Sequence, residues 1–270
     1  ETAYTGFLYR MRADIADRYI KIAEKNGVDL TDPLQLESMG KLTNSLTGRG
    51  SLGAFEKVGK QVNTIFFSPK MMKSSFDFLT LHAADKMSGF ARKQAAINLL
   101  KVVTGTAAIL ATAKAIHPES VELDPRSSDF GKIRIKDTRF DVSGGLSSMV
   151  VLAARLISGA SKSSTSGKVT DLSSGKFGSQ TRLDVFENFF LNKLSPVASV
   201  IKELMQGQDF EGNKPTALGT AKNLFAPLPI ANAYEIIKAP NGANPFLAIM
   251  ADALGISTNT YSKKKKASQK

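Results

Sequence analysis

Apolar residues recur at three- and four-residue steps from Ala3 to about Asn26. Phe7, Leu8, Met11, Ile15, Tyr19 and Ile22 fall on one side, and charged residues fill the other. This spacing predicts an amphipathic helix stopped by Asn26-Gly27. A second helix is predicted from Asp32 or Pro33 to Leu46, with Thr31 or Asp32 as cap and Pro33 in the first turn. Thr47-Gly48-Arg49-Gly50-Ser51 then reads as a turn. Ile65, Phe66 and Phe67 are too apolar for an exposed loop and are expected to plug the core, before Ser68-Pro69 opens a helix running to about Leu81. The longest helical stretch is Ala91–His117, Ala-rich, with a flexible point at Thr104-Gly105-Thr106. A helix apolar on all sides is usually central in a bundle, so a buried position is expected for it. Its uncharged stretch, Val102–Ala113, is bounded by Lys101 and Lys114 and is shorter than a bilayer-spanning segment.

Beyond Pro118 the texture changes. Asp124-Pro125-Arg126-Ser127-Ser128-Asp129-Phe130-Gly131 is dense in residues that shape backbone. Pro125 fixes its own φ and pushes Asp124 towards an extended conformation. Ser127, Ser128 and Asp129 can bond back to local amides. An alternating run follows: Ile133, Ile135, Phe140 and Val142. It predicts a short hairpin, Lys132–Ile135 with Arg139–Val142, turning at Lys136-Asp137-Thr138. Gly144-Gly145 precedes a helix over about Leu146–Ile157. Ser158–Gly178 is rich in Ser, Gly and Lys and reads as a mobile loop. Helices are predicted over Leu183–Leu194, from Ser195-Pro196 to Gly207, and near Asn244–Leu254. Asp209–Asn213 reads as a turn, and Pro227, Pro229, Pro240 and Pro245 break the region into short helices.

The fold class expected is mainly α, an irregular multi-helix bundle with one small β-hairpin at about 132–142. Four segments are expected: a helical core with the hairpin (1–157), a flexible loop (158–180), a C-terminal helical part packed on the core (181–258) and a basic disordered tail (259–270).

Charge adds a partner class. The chain of 270 residues carries 36 Lys+Arg against 24 Asp+Glu, a formal net charge of +12. Such a surplus favours polyanions: nucleic acid, anionic lipid or an acidic protein surface. Part of it is the run Lys263, Lys264, Lys265 and Lys266. The absence of Cys removes disulfides, thiolate metal sites and cysteine nucleophiles. With His82 and His117 as the only histidines, a zinc site would need mainly carboxylates, so no metal or cofactor is expected. The chain starts at Glu1 rather than Met, and no basic region leading into an apolar one is visible; it reads as a fragment, a processed product or the ordered part of something longer.

Three groups of residues could carry chemistry. Gly48-Arg49-Gly50-Ser51-Leu52-Gly53 is glycine-rich but lacks the Lys-Ser/Thr ending and the preceding strand of a phosphate loop; Arg49 could meet a phosphate or a partner carboxylate. Asp124, Asp129, Asp137 and Asp141 invite an acid–base or metal reading, but their spacing does not match a calcium loop; Asp124 and Asp129 read rather as turn caps and Asp137 as a turn residue, and an enzymatic site would centre on Asp124, Arg126, Asp129 and Asp141. His82 lies in an apolar segment and reads as a packed, hydrogen-bonded histidine. His117 stands at a helix end, where a donor or cation suits the free carbonyls.

An ordered set of short motifs resembles one of the large polyvalent protein-associated domains of very large phage and mobile-element proteins. The matching pieces are Asn44-Ser45-Leu46-Thr47-Gly48-Arg49-Gly50 and Phe66-Phe67-Ser68-Pro69-Lys70. Then come Asp124–Ile133 with Asp141 and Gly144-Gly145, and last Asn192-Lys193-Leu194-Ser195-Pro196 with the break at Gly207. The resemblance implies a protein carried inside phage heads that enters the host with the genome. It brings no catalytic residue. The function expected is a non-enzymatic structural module of an internal or ejected virion protein. Expected partners are other virion proteins near portal or tail, packaged DNA bound electrostatically, the host membrane and further copies in an oligomer. The location implied is the virion interior, followed by the host envelope or cytoplasm. The alternatives are a membrane-active part of a genome-ejection conduit, or an enzyme centred on the Asp124–Gly131 segment.

Overall fold

The computed structural model describes residues 2–173, 180–208, 214–216, 233–234, 236–237, 239 and 241–260. The protein is mainly helical with small antiparallel sheets, as the hydrophobic pattern predicts. It divides into two compact units, Glu1–Thr104 and Gly105–Lys270. The expected segment 1–157 thus falls across both.

The N-terminal unit holds α1 (Thr2–Lys25), α2 (Pro33–Leu46), α3 (Gly59–Ile65) and α4 (Pro69–Leu79), with a 3-10 turn at Gly53–Val58. Gly27 ends α1 with a φ of 66°, a conformation glycine adopts without strain. The Asp32 side chain accepts from the Leu34 amide and caps α2. Tyr19, Ala23, Met39, Leu42, Met87, Ala91 and Ala95 form the buried core. Ile65 and Phe67 do not plug it: they are 49% and 56% exposed. Ser68, at a φ of 52°, stands at the cap of α4 directly after them.

The helix α5 (Gly89–Ile116) begins in this core through Ala91, Gln94 and Ala95 and then leaves it. Its remaining apolar side chains are largely exposed, Leu100, Val103 and Ile109 by half or more. The buried central position expected for this helix is therefore not what the fold provides. It runs unbroken through Thr104-Gly105-Thr106, with the Thr104 hydroxyl donating to the Leu100 carbonyl.

In the C-terminal unit β1 (Lys132–Ile135) pairs antiparallel with β2 (Thr138–Asp141), and Ile133 stands opposite Phe140. The turn has two residues, Lys136-Asp137, not three: Thr138 belongs to the strand. It is fully buried, and its Oγ1 accepts from the Ala243 amide at 3.0 Å and lies 3.1 Å from Thr260 Oγ1. The other side of β2 pairs with β5 (Ser257–Thr260), making a three-stranded sheet where a lone hairpin was expected. Phe140, Ala243 and Ala251 are buried behind it, with Ile133 and Ile256 packed alongside.

The helices of this unit are α6 (Leu146–Ser158), α7 (Arg182–Leu191), α8 (Pro196–Gln206) and α9 (Pro245–Ala253). They start at Gly145, Thr181, Ser195 and Asn244; the last three place a side-chain oxygen on a first-turn amide. The Ser158–Gly178 stretch is not a structureless loop over its described part. It forms a hairpin, β3 (Ala160–Lys162) with β4 (Val169–Asp171). Ser163 accepts from the Thr165 and Ser166 amides in its turn, and buried Leu172 anchors it by donating to the Gly159 carbonyl. The Asp209–Asn213 turn, Pro227, Pro229, Pro240 and the lysine run lie outside the described residues.

Candidate functional site

The Asp124–Gly131 segment follows α5 and a 3-10 turn at Pro118–Ser120. Ser120 Oγ closes the end of α5 against the Ala113 and His117 carbonyls. From there the side chains of Asp124, Arg126 and Ser127 bond locally. Asp124 Oδ1 accepts from the Arg126 amide and Nε, both at 3.0 Å, and its Oδ2 accepts from Arg126 Nη2 at 2.8 Å. This two-pronged guanidinium contact, strengthened by the amide, holds the Asp124 carboxyl down at about 2. Lys162 reaches Glu122 at 2.6 Å, and Glu122 in turn accepts from the Asp124 amide at 2.9 Å.

Ser127 is fully buried, and its Oγ accepts from the Asp129 amide at 3.2 Å. The Arg126 carbonyl accepts from the Lys162 amide and from Arg155 Nε at 2.7 Å, which ties the segment to β3 and α6. Gly131, at a φ of 67°, turns the chain into β1 while its amide bonds the Glu122 carbonyl.

Asp129 and Asp141 are placed differently. Asp129 Oδ2 accepts from Arg139 Nε at 3.0 Å, and both side chains are about nine-tenths buried. Among the described residues its Oδ1 has no hydrogen-bond partner. Asp129 lines a shallow polar cleft of about 430 Å³ shared with Lys114, Glu119, Lys132 and Arg134. Asp141 is buried at the end of β2. Its Oδ1 accepts from the Ser143 amide and hydroxyl at 2.9 and 2.5 Å, and its Oδ2 from Ser147 Oγ at 2.7 Å. It thereby organises the start of α6.

The four residues therefore do not converge. The fold joins Asp124 to Arg126, Asp129 to Arg139 and Asp141 to two serines; the first and last of these pairings serve backbone turns, and the second ties the segment to β2. Arg49 is exposed in the turn after α2, with its amide bonded to the Asn44 carbonyl. Next to it, Gly50 approaches α4: its amide donates to Ser74 Oγ at 2.6 Å, and a Cβ there would lie 2.9 Å from the Ser74 backbone nitrogen.

A second polar cluster centres on His82, which is packed and hydrogen-bonded as its apolar segment predicts, with partners that no motif marks. Buried His82 places one ring nitrogen 3.0 Å from Ser45 Oγ and the other 2.8 Å from Asp85 Oδ2. The order Ser–His–Asp is that of a hydrolytic triad. Ser45, however, is 6% exposed and also donates to the Leu42 carbonyl at 3.0 Å. The serine is thus closed to substrate, and the geometry is that of a clamp between α2 and the turn after α4. Asp77, His82 and Asp85 present ligand atoms within 4.8 Å of one another. Lys73 bonds Asp77 and stands 3.8 Å from Asp85, so an ammonium already supplies the countercharge a metal would bring. No short-range motif announces this cluster: Ser45 and His82 are 37 residues apart. The only local signal was two acids close to a histidine in an apolar stretch.

Comparison with protein-family models, curated proteins and solved structures finds no match for this chain.

Proposed function

We propose that the chain is a non-enzymatic structural module of a bacteriophage internal or ejected virion protein. It works by packing against other virion proteins near portal or tail and by offering basic surface to packaged DNA. The observation that carries this reading is the self-bonded state of the Asp124–Gly131 segment. The most distinctive polar residues of the chain serve its own turns, and the segment joins the end of α5 to the sheet as a rigid connector. The motif resemblance and the +12 charge support the same assignment.

Mass spectrometry of purified virions tests it directly: the polypeptide is expected among the particle proteins, and its absence ends the proposal. DNA contact has its own test. Binding of a non-specific duplex is expected to weaken steeply as salt is raised, because released counterions drive electrostatic association. Salt-insensitive binding, or none in dilute buffer, removes DNA from the partner set. The exposed state of α5 favours a second reading, a membrane-active part of an ejection conduit.

A further inference from the structure

We infer that residues 99–116 of α5 insert into the hydrocarbon layer of an anionic lipid bilayer. The inference gives the membrane reading a site and a ligand class, and it holds whether or not the chain is a virion protein.

Four observations carry it. First, α5 is 28 residues long and apolar enough to cross a membrane, yet only 6% of its most apolar 18-residue window is buried. Second, the exposed residues run right round the helix. At about 100° per residue, Leu100, Ala108, Ile109, Val102 and Val103 point in directions spread over the whole circumference. A protein partner laid along one side leaves the other sides wet, whereas lipid covers all of them; an interfacial helix would instead show one polar face.

Third, the polar groups fit. Of the three threonines in this stretch, Thr104 and Thr112 place their hydroxyls on the Leu100 and Ala108 carbonyls at 2.8 and 2.9 Å, as favours a side chain in hydrocarbon. The helix has no Asp or Glu. Its cations are Arg92, Lys93, Lys101 and Lys114, and the last two lie within three residues of either end of the 99–116 stretch. From those places the ammonium groups reach headgroups by extending along the helix. The α5 of a second copy would bring only like charges to this helix, while anionic lipid brings the opposite sign. Fourth, 18 residues at about 1.5 Å each span about 27 Å, close to the hydrocarbon thickness of a bilayer. The 12-residue stretch between the two lysines falls short of that span. The ends are completed by Leu99, Leu100, Ala115 and Ile116 together with the extended lysine stems.

The test uses the full chain and vesicles of phosphatidylcholine with or without phosphatidylglycerol. Because the chain has no cysteine, Ile109→Cys supplies a single thiol for a polarity-sensitive dye. The expected result is flotation with the phosphatidylglycerol vesicles, a blue shift of the dye, and quenching by lipids brominated deep in their acyl chains. Ile109→Lys places a charge at an exposed position, so the folded chain tolerates it, which circular dichroism checks. It should lower vesicle binding at least about tenfold. Replacing Lys263, Lys264, Lys265 and Lys266 together by Ala should weaken binding without abolishing the blue shift.

The inference is overturned if the chain does not float, or if Ile109→Lys floats as well as the original. It is equally overturned if the dye is shielded before lipid is added in a chain that sediments as an oligomer, for then a second copy covers α5. Virion composition bears on none of these outcomes, so this inference and the virion assignment fail separately.

Discussion

Each unit is tied by a buried polar knot, and the two knots are made by different routes. In the C-terminal unit the bonds that shape the connector are short in sequence, and longer ones from Arg155 and Lys162 then tie it to α6 and β3. Asp124 meets Arg126, Ser127 meets Asp129 and Asp141 meets Ser143, each two residues apart. In the N-terminal unit they are long: Ser45 to His82 spans 37 residues, and Gly50 to Ser74 spans 24. A local knot sets the shape of one turn and can form before the rest of the fold. A long-range knot fixes how two helices meet, and exists only once they have met. The first holds a connector rigid, and the second clamps α2 to α4.

The largest expected effect comes where the local knot reaches out to a strand. Arg139→Met leaves Asp129 buried without its ion-pair partner and should cost about 3–5 kcal/mol. Urea unfolding monitored by circular dichroism measures it, and a loss below about 1 kcal/mol would show that Asp129 is wetter than its burial implies. Next comes the clamp. His82→Leu removes both imidazole bonds and leaves the buried hydroxyl of Ser45 with one partner; a loss of about 2–3 kcal/mol is expected. A double variant with Ser45→Ala should lose less than the sum of the single changes, because the two residues share a bond.

Gly50→Ala tests the other long-range contact. The added Cβ meets the α4 backbone at 2.9 Å, so α2 and α4 must move apart, at about 1–3 kcal/mol. An unchanged thermal midpoint would mean that the turn yields freely. The smallest effect is Asp124→Asn. The folded-state carboxyl is depressed from 3.8 to about 2 by the paired Arg126. Its contribution is therefore present above about pH 4 and is lost as pH falls towards 2. The variant should show a shallower fall in thermal midpoint across that window. Near neutrality it should differ by less than about 1 kcal/mol, since the pair is partly solvated. An equal acid slope in both proteins would show that Arg126 does not hold this carboxylate.

Much of the fold was legible because its signals are local. The Asp32-Pro33 start of α2, the glycine after α1, the Ser195-Pro196 start of α8 and the presence of a hairpin over 132–141 all follow from neighbouring residues; its register does not, since a three-residue turn would have set Ile133 against Asp141 instead of Phe140. What was misread depended on distant partners. Thr138 joined the strand because Ala243 and Thr260 receive it, and β5 exists because β2 offers a free edge. The Ser-rich stretch became a hairpin because Leu172 found a burial site and Lys162 a bridge to Ser127. Within the candidate site, the local bonds of Asp124 and Ser127 were foreseeable from residue type. The Asp129–Arg139 pair and the Ser45–His82 contact were not.

The sequence alone determined the helical character, the caps and breaks, the connector's self-bonding and the charge of the chain, because these depend on a few adjacent residues. Tertiary structure decided which apolar surface is covered. An apolar run carries the same pattern whether it lies in a core or at the surface, since periodicity records which residues are apolar and not what surrounds them. In α5 the first turns enter a core and the remainder does not. That difference turns an expected central helix into an exposed one with a surface still to be covered.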